Sequence, residues 1–188
     1  MPIVDFDSLP DDARVWVYGS DRPMTIDATR EMQKEVEAFL KQWAAHGTPL
    51  HSAWTWDDGR FLTIAVDSSR EGASGCSIDG LYRALKRLEP FIGASIVTSG
   101  LVYYRNHAGE ICAVSREEFA ELAKFHKVDG ETEVFDLSVT TVGEWKARFK
   151  SQAANSWHAS LMEERGRENS HDVSHVQHEE ATGNHRHH

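Results

Sequence analysis

The 188-residue chain holds two cysteines and eleven histidines, and reactive chemistry is sought first among them. Cys76 follows Ser74-Gly75, where the apolar periodicity predicts that a helix begins. A thiol in the first turn of a helix faces unpaired backbone N–H groups and the positive end of the dipole, and both favour thiolate. Asp79 lies one helical turn further along the same face. Its carboxylate could orient a histidine, although it also opposes thiolate formation. His46 stands at the predicted end of an earlier helix, and His158 follows Trp157. Together Cys76, Asp79, His46 and His158 form a candidate catalytic set, a nucleophile with a base. The same four residues also compose a Cys-His-His-Asp donor set suited to zinc. The plainer alternative makes Cys76 a small buried hydrophobe beside a helix cap, and His46 a complement to the negative end of a helix. The body contains no C-x-x-C and no H-x-x-x-H, so short-range ligand spacing does not support a metal there.

Six of the eleven histidines fall in residues 159–188. His171, His175 and His178 are spaced i, i+4, i+7 and would line one face of a helix, where they could bind zinc or nickel. The alternative is a solvated tail with incidental metal affinity. The only large apolar residues of this stretch are Leu161, Met162, Val173 and Val176, too few to offset the entropy of ordering it. The expectation is a single globular domain over residues 1–158 and a disordered His-rich tail over 159–188.

The elements that must position these residues are readable from pattern. Arg14 to Tyr18 predicts a strand. Thr25 to Ala45 predicts a helix, with Met32, Val36, Phe39, Leu40 and Trp43 on one face, Thr25 or Asp27 as cap and Gly47 as left-handed stop. Leu50–Trp56 and Phe61–Val66 read as strands joined through Asp58-Gly59, with positive φ expected at the glycine. Ile78, Leu81, Leu85 and Leu88 mark a second helix ending before Pro90, and Ile96 to Arg105 a fourth strand. A short strand over Ile111–Val114 follows, and Cys112 within it is expected in the core. Then come a helix capped by Ser115, with Glu118 placed as in a capping box, a strand over Thr132–Leu137, and a short helix marked by Trp145 and Phe149. Trp54 and Trp56 share one sheet face, as an aromatic platform or as core beneath a helix. The order β-α-β-β-α-β over residues 14–105 predicts an α+β fold with a ferredoxin-like core, extended by a hairpin strand, a third helix and a terminal strand and helix.

The formal net charge is -10, from 20 Lys and Arg against 30 Asp and Glu. That balance argues against sequence-blind nucleic-acid binding, which draws on phosphate neutralisation, and against anionic membrane surfaces. No apolar run approaches membrane-spanning length and no signal peptide is visible, so a cytoplasmic protein with reduced thiols is expected.

Trp43-Ala44-Ala45-His46-Gly47, Ser74-Gly75-Cys76-Ser77-Ile78-Asp79 and Ser156-Trp157-His158, in that order, resemble a small uncharacterised bacterial family whose members often carry the label "ABC transporter ATPase". The resemblance spans roughly residues 5–158 and implies no established activity. ATP hydrolysis needs G-x-x-x-x-G-K-[ST], and the Gly72–Gly80 segment has no lysine, so no nucleotide is expected. The reading that follows is a non-enzymatic module binding a protein or small ligand. The alternatives are a thiol-dependent enzyme or redox protein centred on Cys76, and a metal-binding protein.

Overall fold

The computed structural model describes residues 3–69 and 71–163. In chain order the elements are β1 (Arg14–Gly19), α1 (Ile26–Gln42), β2 (Ala44–Ala45), β3 (Thr48–Pro49), β4 (Ser52–Asp57), β5 (Phe61–Val66), α2 (Gly75–Ile92), β6 (Leu101–Arg105), β7 (Ile111–Ser115), α3 (Arg116–Lys124), β8 (Glu133–Phe135), α4 (Val142–Arg148) and β9 (Lys150–Gln152). The fold is mixed α+β with antiparallel sheets: β1-β5-β4, the small β2-β3 hairpin, and β7-β6-β8-β9.

Both long helices start on side-chain caps. Thr25 Oγ1 accepts the Ala28 N–H at 3.1 Å. At α2, Ser74 and Ser77 cap each other reciprocally, Ser77 N to Ser74 Oγ at 3.2 Å and Ser74 N to Ser77 Oγ at 2.8 Å. Ala28, Met32, Val36 and Leu40 of α1 and Leu81, Leu85, Leu88 and Ile92 of α2 repeat at helical spacing, and they bury against Leu62, Ile64 and Val66 of β5. Trp54 and Trp56 pack into this same core, beneath the helices. Every residue of β5 is buried, because the strand has cores on both faces. On its other side Phe61 meets Tyr103, Phe135 and Phe149 at ring-centroid distances of 5.2, 4.6 and 5.3 Å. The second sheet places this aromatic cluster on one face and α3, through Phe119, on the other.

In the first sheet β5 lies between β1 and β4, the order that the split β-α-β half of a ferredoxin-like core requires. The fourth strand does not complete that sheet among the described residues. The edge of β1 is bonded instead by the loop before α4, Val15 N to Thr140 O at 3.0 Å, while β6 pairs with β7 and β8. The expected strand 96–105 is also shorter. Ile96 is buried in the helix-side core, Gly100 turns the chain at φ 83°, and only Leu101–Arg105 is extended.

Other expectations change at element ends. α1 stops at Gln42, and His46-Gly47, both at positive φ, form the tip of the β2-β3 hairpin rather than a helix stop. Burial of Trp43 and Leu50, linked by Leu50 N to Trp43 O at 3.0 Å, draws the chain out of the helix. α2 runs past Pro90 to Ile92 and ends on left-handed Gly93, whose N–H reaches Glu89 O at 3.1 Å. Pro90 removes one helical hydrogen bond, and burial of Ile92 offsets the loss. Ser115 caps α3 at the Glu118 N–H, without the reciprocal bond of a capping box. Asp58 and Gly59 take φ 55° and 66°, as the expected turn demands. Residues 159–163 are helical, and Leu161 and Met162 pack on the core around Phe119, so the folded part reaches beyond the boundary expected at 158. His171, His175 and His178 lie outside the described residues.

The close approach of the two sheets generates a stability prediction. A Cβ on Gly19 would stand 2.5 Å from Tyr103 Cζ. The ring cannot move away, because its hydroxyl donates to Gly19 O at 2.9 Å and it meets Phe61 in a T-shaped contact at 5.2 Å. Gly19→Ala is expected to cost about 2–3 kcal/mol, read by urea unfolding. A loss below the error of the measurement would show that the sheets can separate freely.

Candidate functional site

Cys76 and Asp79 of the candidate catalytic set share the first turns of α2, His46 stands on the β2-β3 hairpin, and His158 lies after β9. Cys76 is the second residue of α2 and is exposed, and Asp79 is exposed one turn later. His46 is exposed at the tip of the β2-β3 hairpin. The hairpin is tied to the start of α2, since the Trp43 indole N–H donates to Ser77 O at 2.8 Å. His158 follows β9 and packs against α3. It is fully buried, stacked on Trp157 at 4.0 Å and edge-on to Phe119 at 5.9 Å. Among the described residues, no three His, Cys, Asp or Glu side chains are grouped so as to hold a metal ion. Cys112 is half-buried on β7, with Asn106 Nδ2 3.5 Å from its sulfur.

His158 is a buried titratable group with an incomplete shell. Its Nδ1 is 2.8 Å from Ser156 Oγ, and its buried Nε2 has no hydrogen-bond partner. Burial brings its pKa down to about 4; the Asp136 carboxylate pulls it back up and the Arg116 guanidinium pushes it further down. Asp136, itself buried, is paired to Arg148 Nη1 at 2.5 Å and accepts the Ser138 N–H at 2.9 Å.

Three concave surfaces accompany these residues. A groove of about 560 Å³ runs between α1 and α2, with Phe39, Ala84, Leu88 and Phe91 on its walls and Glu35 and Arg87 at its rim. Phe91 is 77% exposed. A second hollow, about 470 Å³, opens at the outer edge of β4 and is lined by Asp5, Asp7, Glu37 and Asp57 with Trp54 and Trp145. Burial pushes the Asp57 carboxyl up. The third, about 490 Å³, lies on the second sheet among Leu101, Phe135, Leu137, Trp157, Arg116 and Arg148. Pro90 points to a helix end and so masks Phe91 in the sequence. The spacing of Leu81, Ala84, Leu88 and Phe91 carried the signal that the same face continues.

Two measurements follow from this geometry. Native iodoacetamide labelling, resolved by site, is expected to modify Cys76 several-fold faster than Cys112, because one thiol is exposed and the other is half-buried. Equal protection would mean that the start of α2 is covered in solution. For His158, the folded pKa of about 4 lies below the ordinary value of 6.5. The unfolded chain therefore takes up the proton first as pH falls. The stabilisation is complete above about pH 6.5, declines between there and about pH 4, and amounts to up to about 3 kcal/mol. His158→Phe should remove that component from the stability–pH curve. Superimposable slopes for the two proteins would show that His158 is accessible to protons in the folded state.

No protein-family model matches the chain, and no curated protein or solved structure matches it either, so the functional reading rests on these side chains and surfaces.

Proposed function

We propose that this protein is a non-catalytic interaction module that seats an amphipathic helix of a partner protein in the groove between α1 and α2. The observation that carries the reading is Phe91, 77% exposed beside an open apolar groove. Large apolar side chains left on one concave surface mark contact sites, and covering one such side chain contributes about 1.5–3 kcal/mol. Two helices lying on a sheet leave a furrow that a third helix fills by ridge-and-groove packing. The rim sets its orientation: Glu31 and Glu35 line the α1 side and Arg87 the α2 side. The occupant is thus a helix with an apolar face, basic residues toward α1 and an acidic residue toward α2.

A thiol-dependent reading retains one supporting observation, the exposed Cys76 in the first turn of α2. Among the described residues no side chain is hydrogen-bonded to that thiol to serve as its base, so the reading ranks second. The bacterial family that the sequence resembles adds no activity, and the missing P-loop lysine speaks against ATP hydrolysis.

The test is a photo-crosslinking residue placed at Ala84 of the full chain, expressed in its native cell. A discrete covalent adduct with one protein is expected, lost on adding Phe91→Asp while the thermal midpoint stays within a few degrees. Absence of any adduct, or an adduct indifferent to Phe91→Asp, would overturn the reading.

A further inference from the structure

The cavity on the second sheet presents two arginines, one of them already paired with two carboxylates beside it. The chain carries a formal net charge of -10, yet the described residues lining this cavity include two arginines and no carboxylate. Both guanidinium groups are held in place. Arg116 lies over the Trp157 ring, its Cζ 5.1 Å from the ring centroid, which leaves its N–H edge free. Arg148 is fixed by Asp136 at 2.5 Å and Glu144 at 3.1 Å through one nitrogen each, and its remaining N–H groups are uncommitted. Leu101, Phe135, Leu137 and the Trp157 ring supply the apolar wall of the same cavity.

Such a combination selects its ligand by two features at once. A planar guanidinium matches a carboxylate through paired N–H···O bonds, and a preorganised one loses little entropy in making them. The apolar wall contributes nothing to a small hydrated anion, but it stabilises a hydrocarbon or aromatic body attached to the anionic group. We propose that this cavity binds a carboxylate borne on an apolar body, with Arg116 and Arg148 receiving the carboxylate and Leu101, Phe135, Leu137 and Trp157 covering the body. Two sources supply this chemistry: a free aliphatic or aromatic acid, and the C-terminal carboxylate of a peptide that ends in an apolar residue. The site is separate from the α1–α2 groove and stands or falls independently of it.

The experiment uses the full-length isotopically labelled chain and NMR titration with 3-phenylpropanoate, its uncharged amide, inorganic phosphate, and a short peptide ending in Phe with either a free or an amidated C-terminus. Saturable shifts are expected at the Gly100 and Ser138 amides and at the Trp157 indole. The amide and Arg116→Gln should each weaken binding about tenfold or more, since each removes a charge-assisted contact. Arg116→Lys should fall between, keeping the charge and losing the fork. Arg116 is exposed, so its variants are expected to stay folded, as a thermal melt will verify. Arg148→Lys supplies a second probe that keeps a cation beside Asp136. Tighter binding of the free acid assigns a small-molecule ligand, and tighter binding of the free-carboxylate peptide assigns a chain terminus. No saturable shift, equal binding of acid and amide, indifference to Arg116→Gln, or phosphate binding as tight as the acid would each overturn the proposal.

Discussion

The arrangement of the two sheets depends on the buried guanidinium of Arg60. Its side chain is only 5% exposed and donates from Nε and Nη2 to Ser20 O at 3.2 and 3.0 Å, and from Nη1 to Ile111 O at 2.6 Å. Ser20 follows β1 and Ile111 opens β7, so one side chain on the β4–β5 turn joins both sheets. Its partners are carbonyl oxygens rather than carboxylates. Burial lowers its pKa, yet an arginine remains protonated in any protein interior, and the partial negative charges of the carbonyl oxygens at the strand ends stand in for the lost water. Phe61, the next residue, inserts into the aromatic cluster of Tyr103, Phe135 and Phe149. A polar clamp and an apolar plug thus occupy consecutive positions, and together they set the sheets at the distance at which Tyr103 reaches Gly19.

Much of the local architecture was legible in the chain. Alternation, a continuous apolar run and helical spacing located β1, β4, β5 and both long helices, because each buries one face or both in a core and the pattern records that burial directly. The ends were less legible. Pro90 weakens a helix locally, but the cost of one hydrogen bond is small beside the burial of Ile92, and the helix continues. Gly47 favours a left-handed conformation in a helix stop and in a hairpin alike, so pattern alone could not choose between them. The route of β6 was illegible for a different reason. Its alternation is satisfied equally on the edge of β1 or in a second sheet, and the choice is made by long-range partners such as Phe61 and Arg60.

The candidate site divides in the same way. Residue type drew attention to Cys76 and His158, and the structure places one exposed in a first helical turn and the other as a buried imidazole without a second hydrogen bond. That Cys76 sits on α2 while His158 packs against α3 could not be read from spacing, because it follows from the departure of β6 from the first sheet. The groove and the arginine-lined cavity were missed since neither announces itself by a motif. Each is assembled from side chains far apart in sequence, Phe39 with Phe91 in one and Arg116 with Arg148 in the other. Shape and net charge at such sites are properties of the fold.

The length of α2 gives the molecule a built-in ruler. Cys76 stands at one end of this helix and Phe91 near the other, fifteen residues apart in number, which at the rise of an α-helix is about 22 Å. The helix is anchored at its start by the Ser74–Ser77 caps and the Trp43 indole, and along its length by four buried apolar side chains. A dye or spin label on the exposed thiol would therefore sit on a rigid arm at a fixed remove from Phe91. It would report on the Phe91 end from that distance, while the near end of the groove, at Leu81, begins five residues along the same helix.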